Sequence, residues 1–132
     1  MDKFIHTITA AICIIVGFLF GKVDGLVYAL LAFIILDYVT GLTVACINKN
    51  LSSEVGFKGI AKKVIILVVV GVGNIVDIYI LGGGTVCRST VIGFYLANEG
   101  ISILENAGKL GIPLPKKVVS VLKQLKNDND EE

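Results

Sequence analysis

Apolar residues run almost unbroken from about Phe4 to Gly21, from about Leu26 to Ile47 and from about Val64 to Leu81. At 1.5 Å per residue, 18 helical residues span roughly 27 Å, enough to cross the hydrocarbon of a bilayer. Each run is therefore predicted to be a membrane helix. Lys22-Val-Asp-Gly25 forms the first turn, and Gly82-Gly83-Gly84 breaks the third helix. Between the second and third runs lies a polar connector, Asn48 to Lys63.

A fourth segment, about Arg88 to Leu110, is patterned differently. At 100° per residue Asn98, Ser102, Glu105, Asn106 and Lys109 share a face, with Arg88, Tyr95 and Glu99 at its edge. Ile92, Phe94, Leu96, Ile101, Ile103 and Leu104 fall on the other side, which predicts an amphipathic helix. Such a helix either lies in the membrane interface or spans while lining water. Gly111-Ile-Pro-Leu-Pro115 stops it, and Pro115 suits the first turn of a new helix. That helix, to about Lys126, places Val118, Val121, Leu122 and Leu125 on one face, with Lys116, Lys117, Lys123 and Lys126 flanking or opposite. It reads as a basic interfacial helix, followed by a frayed acidic tail over residues 127–132. The expected fold is a single all-α membrane domain over residues 1–132, with three to four transmembrane helices and a basic amphipathic C-terminal helix.

Composition agrees: of 132 residues 55% are hydrophobic and 17% charged, too apolar for an ordinary soluble domain. A net charge of +1, without interleaved basic and aromatic residues, speaks against a nucleic-acid partner. The N-terminal run resembles a signal peptide but lacks a small-x-small exit, so it reads as a retained span. Cys13, Cys46 and Cys87 are far apart and form no metal or redox motif, and no catalytic constellation or cofactor motif occurs. Neither an enzyme nor a bound metal is expected.

Lysine placement orients the chain. The connector carries Lys49, Lys58, Lys62 and Lys63, and five lysines follow from Lys109 on. Four crossings, or a re-entrant fourth helix, would put both groups inside, with cytoplasmic N- and C-termini. Lys58, Lys62, Lys63, Lys116 and Lys117 are the expected contacts to anionic lipid headgroups.

Polar residues within the apolar runs carry the functional question. Asp37, Thr40 and Gly41 share one face of the second helix, and Asn74 and Asp77 one face of the third. A carboxylate at the bilayer centre costs roughly 2.5–3.5 kcal/mol, so neither aspartate should face lipid. Three readings remain open for them: hydrogen bonds across packed helices, a water-filled pore, or proton coupling in a small exporter.

The pieces LDYVTG (36–41), LSSEVGFKGIAKK (51–63), the third run with Asp77, and NEGISILENAGKLGIPLPKK (98–117) resemble the toxin-secretion/phage-lysis holin family, that is phage holin family 4 and the clostridial toxin-export proteins like it. The resemblance covers about residues 30–125 and is most specific over Asn98–Lys117. It implies a small protein of the bacterial cytoplasmic membrane that accumulates, forms a homo-oligomer and opens lesions. An endolysin, in host-cell lysis, or a large toxin then crosses. The family is often described with three spans, whereas the lysine count favours four. Within that picture the pore-lining or gating candidates are Asn98, Glu99, Ser102, Glu105, Asn106 and Lys109, because this helix alone has a broad wet face. Asp37, Thr40, Gly41, Asn74 and Asp77 are the expected polar helix contacts. The rival classes are a proton-coupled exporter and a non-conducting membrane scaffold.

Overall fold

The computed structural model describes residues 1–130, and they are all helix and connecting turn. The elements are α1 (Asp2–Phe20), α2 (Gly25–Ile47), α3 (Ser53–Ile75) with a π-helical continuation (Val76–Ile80), α4 (Val86–Lys109) and α5 (Lys116–Asp130). Among the described residues, α1, α2 and the continuous stretch Ser53–Ile80 are long and apolar enough to cross a membrane. With Arg88, Glu99, Glu105 and Lys109 along its length, α4 is not one of these three.

Two boundaries differ from the sequence pattern. Most of the connector is helical: α3 starts at Ser53, capped by Ser52 Oγ, which accepts from Val55 N–H at 3.2 Å, with Glu54 in the first turn. A cap and an acidic first turn start a helix whether or not an apolar run has begun. α5 runs on to Asp130, beyond the end near Lys126 expected from the apolar pattern, as no glycine or proline interrupts Lys116–Asp130. Glu131 and Glu132 lie outside the described residues.

α4 is the centre of the bundle. It packs most extensively on α2, then on α5 and α3, whereas α1 rests on α3. The apolar core joins Val27, Leu30 and Ile34 of α2 to Ile66 and Val70 of α3 and Ile92 of α4. Extended at helical spacing, these stripes run into polar residues at both ends. On α2 the stripe 27, 30, 34 reaches Asp37; on α3, 66 and 70 lie between Lys63 and Asn74 and Asp77; on α4, 92 lies between Arg88 and Glu99. The shared face is thus polar, then apolar, then polar again. α1 has no buried residue, and its isoleucines and phenylalanines form an apolar outer surface.

Close approach of α3 to the start of α4 depends on Gly73. A Cβ there would stand 3.2 Å from Cys87 O and 3.3 Å from the Arg88 backbone. Because backbone cannot swing aside, Gly73→Ala should cost about 1–3 kcal/mol. Gly17→Ala, in a helix with nothing within 4 Å, should be neutral or slightly stabilising. Thermal unfolding in detergent compares the two; equal melting temperatures would contradict this packing.

Candidate functional site

The candidate site consists of the two polar ends of the shared stripe. At one end Lys63 Nζ of α3 donates to Asp37 Oδ2 of α2 and to Glu99 Oε2 of α4. One ammonium thereby ties three helices and faces two carboxylates. Asn106 Nδ2 donates to Asp37 Oδ1 at 3.1 Å and to Thr40 Oγ1 at 2.9 Å, and Thr40 Oγ1 itself donates to Leu36 O at 2.8 Å. Gly41 borders the Asn106 side chain, and a Cβ there would lie in ordinary contact, 3.7 Å from Asn106 Nδ2. Tyr38 Oη donates to Gly56 O at 3.3 Å and closes α2 onto α3. Beside this cluster a cavity of about 270 Å³ opens between Tyr38, Gly41, Gly59, Lys62 and Ser102.

At the other end Asp77, 1% exposed, caps a helix that is not its own. Thr85 makes no side-chain cap at the start of α4; instead Asp77 Oδ1 and Oδ2 accept from Cys87 N–H at 2.9 Å and Arg88 N–H at 2.8 Å. A carboxylate against the first free N–H groups of a helix is favoured by hydrogen bonding and by the dipole together. The π-helical turn that holds Asp77 closes with Leu81 N–H donating to Val76 O at 2.9 Å. Arg88 fastens the α1–α2 turn: Nε donates to Phe20 O at 2.9 Å, Nη2 to Lys22 O at 2.7 Å, and Nη1 and Nη2 to Asp24 at 3.1 Å. Those bonds hold the Asp24 carboxyl below the usual carboxylate range, helped by the Val27 N–H that Asp24 accepts as the cap of α2. Asn74 Nδ2 donates to Phe18 O at 3.2 Å, and Gly21, at φ 64°, leaves room for the Asn74 side chain.

The α4 residues expected on one wet face are divided. Glu99 and Asn106 are buried in the Lys63 cluster, Asn98 and Ser102 are half-buried, and Glu105 and Lys109 are exposed. The lysines expected at headgroups are divided too. Lys58, Lys62, Lys116 and Lys117 are exposed, but Lys63 points inward to its two carboxylates. A turn of 100° per residue separates Lys62 from Lys63, and only the second falls on the buried stripe. Arg88 and Asp24 were not singled out from the sequence. Their signals were an arginine opening the buried stripe of α4 and an aspartate one residue before a helix. No group of residues suited to a metal occurs among the described residues.

Residues 14–127, which include both polar ends, match the model of the Bacteriophage holin family. The chain belongs to the bacteriophage holin family. A Bacillus phage phi105 protein named "Probable holin" is 35% identical over 115 residues, covering 87% of this holin-family chain and 84% of the phage protein. A Listeria monocytogenes protein is 47% identical over 120 residues, 89% of this chain and 85% of its own. A 14.9 kDa Clostridium perfringens protein in the nagH 3′ region is 46% identical over 109 residues, 83% of each chain. No solved structure matches the chain.

Proposed function

We propose that this protein accumulates in the bacterial cytoplasmic membrane, self-associates and opens lesions that pass a wall-degrading endolysin or a large exported toxin. The observation that carries the reading is α4: a charged helix held among helices apolar enough to span a membrane. Among the described residues no buried side-chain nitrogen or oxygen lacks a partner within the single subunit. One copy can therefore sit in lipid with its buried polar groups satisfied internally. Association of many copies exchanges these contacts for contacts between subunits and turns the side of α4 bearing Asn98, Ser102, Glu105 and Lys109 toward water, while apolar faces stay against lipid.

Placement of lysines supports an inside orientation for both termini. α4 runs alongside α2 from Arg88–Asp24 to Asn106–Thr40, so the connector lysines and Lys109 lie at the same end of the bundle. Lys58, Lys62, Lys116 and Lys117 then meet anionic headgroups on the cytoplasmic side. No residue is assigned a chemical step.

Induced expression tests the reading. Membrane potential should collapse abruptly, together with release of a cytoplasmic enzyme. Cation flux without enzyme release would favour a proton-coupled exporter, and neither effect a scaffold. In a background lacking Cys13, Cys46 and Cys87, single cysteines over residues 92–109 locate the wet face. Positions 102 and 105 should label from water after triggering at least several-fold faster than 101 and 104; equal labelling would remove α4 as the lining.

A further inference from the structure

α5 lies back along α4 in the opposite direction. Leu114 approaches Gly108, Val119 and Lys123 lie with Ile101 and Leu104, and Leu122 enters at Gly100 beside Phe33 of α2. The fit at Gly100 is tight: an added Cβ would stand 3.0 Å from Leu122 Cδ1 and 3.1 Å from Phe33 Cε2. Gly100 is next to Glu99, so Leu122 sits near the level of the Lys63 cluster. Beyond Leu122 the helix continues toward the Arg88 end, past the apolar core, by roughly 9 Å over residues 123–128 at 1.5 Å each. That portion carries Lys123, Gln124, Asn127 and Asp128, all exposed. In a bilayer these side chains would face hydrocarbon, where charged groups are costly.

The docked position also leaves Val118 46% and Val121 50% exposed. At a membrane surface Val118, Val121 and Leu122 would enter the acyl boundary while the lysines beside them met headgroups. What α5 would leave behind, Phe33, Ile101 and Leu104, is apolar and compatible with lipid. The link at residues 110–115 has Gly111 at φ 82° and two prolines, a short joint outside both helices.

We propose that α5 is a lid with two resting places, the α2–α4 groove and the anionic headgroup surface, and that lesions open only after it leaves the groove. The partner it leaves for is a negatively charged lipid surface. This rests on the holin reading for its consequence, but not for the exchange itself.

The test uses the full chain without native cysteines, carrying Gly100→Cys and Leu122→Cys, reconstituted in vesicles. Replacing Leu122 removes two of the three atoms that crowd residue 100, leaving Phe33 Cε2 to shift by a few tenths of an ångström, and it sets the two cysteines against each other when α5 is docked. In phosphatidylcholine vesicles oxidation should cross-link most of the protein. With phosphatidylglycerol as a major component the rate should fall at least fivefold and recover in about 1 M salt, where surface charge is screened. A rate independent of lipid charge, or no disulfide in either vesicle, would overturn the exchange. A second pair, Leu104→Cys with Val119→Cys, repeats the measurement without touching Gly100. Enclosed-enzyme release should be at least tenfold slower from oxidised than from reduced samples, and equal release would overturn the gating role. If lipid-dependent cross-linking is seen but even the native protein releases nothing, the holin reading fails while the exchange stands.

Discussion

Lys63→Met should destabilise the folded subunit by about 3–5 kcal/mol, the usual cost of removing one partner from a buried ion pair. The estimate is at the high end for a single substitution because the ammonium serves two carboxylates, Asp37 and Glu99, each in a side chain at most 10% exposed. Without it both acids face each other across α2 and α4, and the helices they join lose their only cation at that level among the described contacts. The native pairing is not itself worth that much, because desolvation offsets most of its attraction. A triple variant, Asp37→Asn, Lys63→Met and Glu99→Gln, removes every charge together and should recover most of the loss. Thermal unfolding in a mild detergent, with the amount of protein in the membrane fraction, compares the variants. If Lys63→Met melts like the native chain, the ammonium lies at the headgroups and not between the carboxylates.

A comparable loss, about 3–5 kcal/mol, is expected for Arg88→Leu at the opposite end. Arg88 is 3% exposed and donates to Phe20 O, Lys22 O and Asp24. Hydrogen bonds from a charged donor contribute about 1.5–3 kcal/mol each, and the orphaned carbonyls and carboxylate add to the cost. Arg88→Lys should recover only part, since one ammonium cannot reproduce the planar fork. Asp24→Asn should cost clearly less. Its side chain is 37% exposed, and the two carbonyl partners of Arg88 remain. The damage should be local: α1 contacts the bundle through α3, through Asn74 and through this turn. Hydrogen exchange should therefore rise first around residues 18–24 in Arg88→Leu. Uniform exchange across α2 and α4 would show that the turn is not fastened this way.

The contrast between neighbours explains which parts of the site were legible. Asp37, Thr40 and Gly41 could be placed on one helix face from their spacing alone, because helical periodicity is local. That Asp37 is met by Lys63 is a contact across 26 residues, and the Asn106 bond spans 69. Nothing in the pattern of one chain encodes such a separation. Lys63 looked like Lys58 and Lys62, a basic residue before an apolar run. The signal was its register: with Ile66, Val70 and Asp77 it forms one stripe, and the stripe is visible only once the helix is known to begin at Ser53. For the same reason the helical wheel places Arg88 only at the edge of the polar face of α4 and shows nothing of its partners. Its partners belong to the turn before α2, 64 residues away from Asp24 in the chain.

The sequence by itself determined an all-helical membrane protein, the presence of three apolar helices, the amphipathic character of α4 and α5, and the rule that Asp37 and Asp77 must not face lipid. All of these follow from hydropathy, helical period and the cost of charge in hydrocarbon, which act over a few residues or a single span. The tertiary structure decided who meets those charges. It made α4 the central helix, turned Glu99 and Asn106 inward and left Glu105 and Lys109 outside. It also set Asp77 as the cap of α4 and laid α5 into the groove at Gly100. Those outcomes depend on the relative rotation and depth of whole helices, which are fixed by long-range packing and pairing rather than by the pattern along any one of them.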